Sequence, residues 1–379
     1  MAKKTIMILG GYGNTGKLLA RLLLSETDAH LVIAGRNVEK AERLVRELNA
    51  VFAGDRVQAV CVDASAPASL RLGLAGMDLV VVASSTTQYV RQLSAGAMEA
   101  GVDYLDIQYS PEKIGVLRSM EGEIQRAGRC FITDGGFHPG LPGLLVRYVS
   151  QYFDKLELAR VGSVIKEDWK KLQVGDEAVI ELVELVNDFE MLVFKAGKWK
   201  KASMLGMGDM LRMDFGGEFG MQYCAPMMLE EMRLLPDIYP TLADTGFYVG
   251  SFNWFVDWVV FPVVMLVMKL SPQAGAKPMG SWMHWGLKTF STPPYGTILR
   301  VEAKGLKDGQ PITQSAMLSH PDGYMFTAIP VAACLLQYLD GLIDRPGLWW
   351  QALVVEPNRF MRDMERMGIA IRMEPWREI

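Results

Sequence analysis

Cysteine and histidine are scarce in this chain, with only four of each among 379 residues. The cysteines are widely spaced and form no CxxC pair, which argues against a zinc ribbon or a disulfide scaffold. We therefore predict no metal site. Each cysteine lies in a largely apolar stretch, which indicates buried free thiols. The four are Cys61, Cys130, Cys224 and Cys334.

An excess of basic residues is also missing. The formal net charge is -4, so there is no electrostatic reason to expect a nucleic-acid partner. The first apolar run, in "MAKKTIMILGG", is too short for a signal peptide and ends in glycines. These features predict a cytoplasmic protein.

Only residues 245–268 approach the length of a membrane-spanning segment, which needs about 20 predominantly apolar residues. Asp257 and Pro262 interrupt this run. We therefore expect residues 252–270 to form a buried helix, a lid or the seam of a homodimer. Contact with a membrane or lipid surface through the same residues is the less favoured alternative.

The first third of the chain alternates short apolar runs with helical patterns. Runs of this kind are typical of strands buried on both faces of a parallel sheet. Six of them, separated by helical patterns, predict an α/β doubly wound Rossmann sheet. The runs are "KTIMILGG", "HLVIAGR", "RVQAVCVDAS", "MDLVVVASS", "VDYLDIQ" and "RCFITDGG".

A glycine pattern, Gly11-x-Gly13-x-x-Gly16, joins the first strand to the first helix. This context distinguishes a dinucleotide-binding loop from a chance match. The first glycine permits a tight turn, the second lets the backbone approach a pyrophosphate, and the third lets helix and strand pack closely. The diphosphate is expected at the positive end of the helix. The predicted loop residues are Gly11, Tyr12, Gly13, Asn14, Thr15 and Gly16.

The end of the second strand favours NADP over NAD. An NAD site usually has an acidic residue there, which binds the ribose 2′-hydroxyl. This chain has Arg36 instead, whose planar guanidinium suits a 2′-phosphate. Stacking on adenine without discrimination is the alternative, and NAD stays the less favoured cofactor. Further predicted contacts are Asn37, which also suits a helix cap, Asp63 on the adenine side, and Ser84, Ser85 and Thr86 along the ribose and nicotinamide.

Past residue 150 the pattern changes to successive strands. "LELARVGSVIK" alternates like a strand, and two hairpins have turns at Ala196-Gly197 and Asp308-Gly309. "DEAVIELVELVNDF" reads as a helix. We expect a Rossmann domain in residues 1–138, and an inserted α+β substrate and dimerisation domain with a mixed sheet in 139–325. Residues 326–379 are expected to form C-terminal helices that pack back on the first domain.

His138 follows the sixth strand in "FITDGGFHPGLPGLL". Ligands of open α/β sheets bind beyond the carboxyl ends of the strands, so His138 is expected near the reacting carbon. It could donate a proton, contact substrate or cofactor, or only complete a turn. Other candidate acids are Lys166, Asp168, Tyr109 and His284.

Together, "MILGGYGNTGKLLARLL", "VIAGR", "GFHPGLPGLL" and "TAIPVAACLLQYLDG" resemble the saccharopine dehydrogenase-like family of NADP-linked reductases. The resemblance implies a Rossmann domain, an inserted substrate domain, frequent dimers and reduction of an imine. Two features depart from it. The family's Asp-Pro-Gly turn is His138-Pro139-Gly140 here. Residues 165–295 contain only Arg212 and Arg233, which are few arginines for an amino-dicarboxylate substrate.

The sequence therefore predicts an NADP-dependent oxidoreductase that transfers hydride to or from a C–N or C–O bond. The substrate would be small and rather apolar, and the nicotinamide would lie at the cleft with the second domain. A catalytically silent NADP-binding sensor or scaffold, and a protein associated with a membrane surface, are the alternatives.

Overall fold

The computed structural model describes residues 3–171, 190–202, 207–250 and 252–378. The helix expected in residues 176–189 lies outside these residues. The chain divides into two compact units. The first contains Met1–Leu144 and Tyr324–Ile369, and the second contains Leu145–Gly323 and Ala370–Ile379. The final residues thus join the second unit, whereas C-terminal helices on the first were expected there.

The first unit has a parallel sheet of seven strands in its described residues, and the doubly wound α/β class is confirmed. The strand order is β15-β6-β5-β4-β1-β2-β3. Strands β7 to β14, which come between β6 and β15 in the chain, belong to the second unit. All six predicted strands form, and five of them are buried at every position or at every position after the first, which explains their apolar runs. The strands are Thr5–Leu9 (β1), His30–Gly35 (β2), Val57–Cys61 (β3), Leu79–Val82 (β4), Asp103–Asp106 (β5), Cys130–Thr133 (β6) and Gly347–Trp350 (β15).

Helices connect these strands, and local residues set several of their ends. The Asn37 side chain accepts a hydrogen bond from Lys40 N and caps the second helix. Gly101 ends the fourth in the left-handed region. The helices are Asn14–Glu26 (α1), Val38–Val51 (α2), Pro67–Leu74 (α3), Val90–Ala100 (α4), Pro111–Arg126 (α5), Leu141–Ser150 (α6, which begins in this unit) and, near the end of the chain, Gly323–Leu339, Gln351–Val354 and Pro357–Arg366.

The second unit has a mixed sheet, as expected. Its main path is β10-β11-β12-β7-β13-β14-β16, with β8 and β9 beside β12. The β12–β7 pair is parallel and the other pairs are antiparallel. Both predicted hairpins form. The strands are Lys155–Lys166 (β7), Leu192–Lys195 (β8), Lys198–Lys201 (β9), Leu211–Asp214 (β10), Met221–Met227 (β11), Asp244–Gly250 (β12), Gly296–Lys307 (β13), Gln310–His320 (β14) and Ala370–Glu378 (β16).

The apolar run near residue 260 is helical and belongs to the second unit. A π-helical turn, Val256–Val260, leads into Phe261–Leu270 (α7) and then Pro272–Thr289 (α8). Two single helical turns, Glu230–Arg233 and Leu235–Ile238, precede β12. One face of residues 256–270 packs in a core and another is exposed to solvent, so the helix is only partly buried within the chain. The lid and the homodimer seam stay predictions.

Three of the four cysteines are buried free thiols, but Cys61 is exposed. It lies on β3, the edge strand of the first sheet, where one face has little cover. Within the described part of the chain, no helix has the length and apolar character needed to cross a membrane.

Candidate functional site

The loop after β1 can form only with glycine at several positions. Gly10 has a positive φ of 82°. A Cβ atom there would lie 2.7 Å from the Ala83 carbonyl oxygen, and one at Gly16 would lie 2.5 Å from the Gly10 carbonyl oxygen. Since these neighbours are backbone atoms, they cannot move aside cheaply. The loop therefore packs tightly against both the sheet and the start of α1, and it includes Gly10, which the three-glycine pattern does not contain.

The second glycine of the pattern has open space around it. A Cβ atom at Gly13 would approach only the Gly10 carbonyl oxygen, at 3.1 Å. Gly13 is also the N-cap of α1, and no side chain of the described residues caps the first amides of that helix. Free amides at a helix N-terminus bind anions, with the helix dipole adding to the attraction. Gly13 and the amides of Asn14, Thr15 and Gly16 thus fit a diphosphate.

Tyr12 connects this loop to the end of β2. Its hydroxyl oxygen accepts a hydrogen bond from Asn37 N at 3.1 Å. A Cβ atom at Gly35 would lie 2.6 Å from that oxygen, so the absence of a side chain at Gly35 makes room for the ring. Tyr12 and Asn37 therefore shape the end of β2, and the Asn37 side chain is occupied as a helix cap.

Arg36 lies beside them on the surface, and its guanidinium forms no ion pair with any described residue. It lies close enough to Asp63 to act on that carboxylate. The Asp63 carboxylate accepts hydrogen bonds from the Ser65 hydroxyl at 2.7 Å and the Ser65 amide at 2.9 Å. These bonds, with a smaller effect of Arg36, hold the pKa of Asp63 below its usual value. Arg36 is therefore a cation available to an added anion.

Polar side chains follow β4 and β5 at the same edge of the sheet. Ser84 Oγ and Thr86 Oγ1 lie 3.2 Å apart, with Ser85 between them in the chain. The Gln108 side chain, from the loop after β5, donates to the Ser84 carbonyl oxygen. This bond ties the two loops together, and nothing in the sequence marks Gln108 for that role.

A buried lysine joins the ends of β5 and β6. Lys113 Nζ on α5 lies 2.5 Å from Asp106 Oδ1 and 2.8 Å from Asp134 Oδ1, and its side chain is fully buried. Thr133 Oγ1 donates to Asp106 Oδ2 at 2.9 Å. Burial alone lowers the Lys113 pKa, but the two carboxylates outweigh it and raise that pKa above its ordinary value. The ammonium thus stays charged and fixes Asp134, the first residue of the His138 loop.

The loop itself, residues 134–140, is held by a second buried side chain. Gln351 Oε1 accepts from Gly136 N at 3.1 Å, and Gln351 Nε2 donates to Gly136 O at 3.3 Å. Gly140 has a φ of 120°, and a Cβ atom at this position would lie 2.6 Å from Gln351 Nε2. The peptide bond between His138 and Pro139 is cis. Lys113 and Gln351 therefore set the backbone that presents His138.

His138 retains some solvent exposure while its loop neighbours are buried. Its ring centroid lies 4.2 Å from that of Phe137. Burial lowers the pKa of His138 to about 4. The imidazole is therefore neutral near pH 7, which disfavours a proton donor and leaves ligand contact or a turn residue as roles.

The other candidate acids do not form one cluster. Tyr109 lies in the loop after β5 of the first unit. Lys166, Asp168 and His284 all belong to the second unit, where Asp168 pairs with Lys171 at 3.0 Å and His284 is buried in α8. Only Lys166 lines a cavity described below.

The second unit contains a cavity of about 330 Å³ beside β10, β11 and the start of the π-helical turn. The Lys166 ammonium has no ion-pair partner among the described residues. Most of the wall consists of aromatic rings and thioethers. The lining residues are Lys166, Met210, Met221, Gln222, Tyr223, Asn253, Trp254, Asp257, Trp258, Phe290 and Thr292.

Neither Arg212 nor Arg233 lines the cavity. Arg233 is paired with Glu190 and Glu230, each at 2.9 Å. The Arg212 guanidinium carbon lies over the Tyr223 ring, 5.9 Å from the ring centroid. The cavity thus offers one cation, Lys166, and would leave a dicarboxylate poorly neutralised.

Comparison with known proteins agrees with this geometry. The family model described as the saccharopine dehydrogenase NADP binding domain matches residues 6–129. These residues are similar to that domain family. The resemblance predicted from the sequence is thereby confirmed, and the match covers β1–β5, the glycine loop and Arg36. No curated protein sequence matches the chain.

Solved structures extend the likeness to the fold of the whole chain. Apo saccharopine dehydrogenase (L-Glu forming) from Saccharomyces cerevisiae aligns with a TM-score of 0.70 at 14% identity, covering 98% of this chain and 100% of that one. A dehydrogenase from Chromobacterium violaceum covers 97% of this chain and 94% of its own at 12% identity, with a TM-score of 0.47. At these identities the first likeness establishes the fold, and the second is too weak to carry an argument.

Proposed function

We propose that the chain is an NADP-dependent oxidoreductase that transfers hydride to or from a C–N or C–O bond of a small, rather apolar substrate. The observation that carries the proposal is Arg36 at the end of β2. Its exposed guanidinium, without an ion-pair partner in the described chain, stands where an NAD site usually has an acid. A 2′-phosphate would accept charge-assisted hydrogen bonds from it.

The glycine loop supplies the second part of the cofactor site. Gly13 leaves space beside the uncapped amides of α1, which would bind the diphosphate through hydrogen bonds and the helix dipole. The Ser84–Thr86 loop, tied to β5 by Gln108, would lie along the ribose and nicotinamide. When bound, the nicotinamide supplies or accepts the hydride.

The residues after β6 would orient the reacting groups. Lys113 and Gln351 fix the loop backbone, so His138 has a defined position. A neutral imidazole can donate one hydrogen bond and accept another, which suits orientation of a polar substrate group. A reduced nitrogen or oxygen still requires a proton, and solvent or another side chain would have to supply it.

The cavity of the second unit supports a substrate unlike saccharopine. Its aromatic and methionine lining suits an apolar body, because such surfaces gain free energy when they leave water. Lys166 would neutralise one anionic group. We therefore propose a monoanionic, mainly apolar carbonyl or imine compound as the substrate class.

Turnover of NADPH with a panel of 2-oxo acids and amines tests this proposal. We expect oxidation of NADPH with long-chain or aromatic 2-oxo acids and little with 2-oxoglutarate. Tight NADPH binding without turnover of any panel member would favour the silent sensor instead.

A further inference from the structure

Exposed apolar side chains are concentrated on one part of the second unit. On the π-helical turn and α7, Trp258, Val259, Val263, Leu266 and Leu270 are exposed, the last two at 58% and 75%. Positions 259, 263, 266 and 270 recur at intervals of four and three, so they share one helix stripe. Large apolar side chains exposed together in this way mark an interaction surface.

Two more tryptophans extend this stripe. Trp254 and Trp285 are 61% and 52% exposed. Both rings pack against the same pair, Phe255 and Phe290, with centroid distances of 5.3 to 5.8 Å. We refer to Trp254, Trp258, Val259, Val263, Leu266, Leu270 and Trp285 together as the tryptophan face.

This face is supported from behind by a well-packed core. Val256, Val260, Val264 and Met268 are almost fully buried, and they pack with residues of α8 such as Met283. The exposed side chains therefore belong to a well-packed helix and not to a poorly packed core. The two helices already satisfy their own packing and still present apolar groups outward.

The charged residues in the segment that forms this face are mostly lysines. Among residues 252–292 the charged side chains are Asp257, Lys269, Lys277 and Lys288. Asp257 Oδ1 accepts a hydrogen bond from Phe252 N at 3.0 Å, so one oxygen of this carboxylate is bound within the same segment. Lys277 and Lys288 are exposed together with Trp285 on α8, at spacings of eight and three residues, so the three share one stripe of that helix.

We infer that the tryptophan face docks on an anionic lipid surface. Tryptophan favours the boundary between headgroups and acyl chains, where its ring is apolar and its N–H can reach polar groups. Lysines beside such a face gain free energy from anionic headgroups. Asp257 is the one acidic residue of residues 252–292, against three lysines, so this segment carries a net positive charge that favours an anionic surface.

The same charges disfavour a second copy of the chain as the occupant. A two-fold interface places the same patch on both sides. Lysines of one copy would then face lysines of the other, with Asp257 as the one carboxylate of residues 252–292 to pair with them, and like charges oppose association. An anionic surface is the complementary partner.

Co-sedimentation of the full chain with vesicles tests the inference. We expect binding to vesicles of phosphatidylcholine mixed with phosphatidylglycerol, weakening at high salt, and much less binding to phosphatidylcholine alone. Lys277→Gln with Lys288→Gln should weaken the partition coefficient by about 10- to 30-fold. Leu266→Asn with Leu270→Asn should weaken it by about 100-fold or more.

Leu72→Asn is the matched control, because Leu72 is an exposed leucine of the first unit, at 80%. It should leave vesicle binding unchanged. Absence of binding by the unmodified protein, equal binding to both vesicle types, or a Leu266- and Leu270-dependent dimer by analytical ultracentrifugation without vesicle binding would each overturn the inference. None of these outcomes depends on NADPH, so they are distinct from failure of the proposed activity.

Discussion

At the scale of single residues, our proposal assigns the preference for NADP over NAD to Arg36. We expect Arg36→Ala to weaken NADPH binding by about 10- to 150-fold, because a charge-assisted hydrogen bond contributes roughly 1.5–3 kcal/mol. NADH has no 2′-phosphate, so its affinity should change little. Calorimetric titration of both cofactors measures the two effects. Arg46→Ala on the exposed side of α2 is the control, and an equal loss for NADH would show that Arg36 only stacks on adenine.

His138 gives a prediction about pH. Because burial lowers its pKa from 6.5 to about 4, its NMR ring signal should titrate near pH 4 in the folded protein. The unfolded chain takes up this proton first as the pH falls below 6.5. The stability that His138 contributes is therefore complete above pH 6.5 and declines towards pH 4. His138→Gln identifies the signal, and titration near pH 6.5 would restore the proton-donor hypothesis.

The sequence predicted residues whose chemistry is visible in a local pattern, and missed those whose role depends on distant contacts. Arg36 and the glycines stand at fixed distances from a strand end. Lys113 reads as an ordinary surface lysine of a charged helix, and only the arrangement of β5, β6 and α5 encloses it. Gln351 is separated from Gly136 by 215 residues, so no local pattern could relate them.

At the scale of elements, the glycine loop gives two different expected outcomes. Gly13→Val should abolish NADPH binding while the free energy of unfolding changes by about 1 kcal/mol or less, because a Cβ atom there approaches only one protein atom. Gly16→Val should destabilise the fold by about 3 kcal/mol, because its Cβ atom would overlap the backbone of Gly10 and Gly11. Denaturant unfolding and NADPH titration separate these effects. Retained NADPH binding in Gly13→Val would place the phosphate site elsewhere.

The buried lysine gives a second prediction at this scale. Lys113→Met should destabilise the protein by about 3–5 kcal/mol, because it leaves Asp106 and Asp134 buried without a counter-charge. Adding Asp106→Asn and Asp134→Asn should recover part of the loss. Chemical denaturation of both variants measures this, with the exposed Lys304→Met as control. A loss no greater than that of Lys304→Met would mean that the cluster does not hold the two strand ends.

Elements with strong periodicity were predicted and short or mixed ones were not. The six apolar runs predicted the first six strands of the first sheet, because parallel strands are buried on both faces and are therefore apolar. The strand Gly347–Trp350 has four residues and follows a proline, so nothing local separates it from a loop. Ala370–Glu378 alternates apolar and charged residues, but its neighbour in the sheet, β14, lies far away in the sequence.

At the scale of the whole molecule, fold and activity rest on different kinds of observation. The fold is shared with a saccharopine dehydrogenase at 14% identity, an identity at which substrate contacts are free to differ. The paired state of Arg233 and the lining of the cavity support our proposal of a substrate of another class. One scaffold can carry several activities because function depends on the residues of individual sites and not on the fold alone.

The most direct test of the central claim is calorimetric titration of the unmodified protein with NADPH and, separately, with NADH. The account predicts one NADPH site per chain and an affinity for NADPH about tenfold or more above that for NADH, since Arg36 adds a charge-assisted contact to the 2′-phosphate alone. Equal affinities, or no binding of either cofactor, would contradict it.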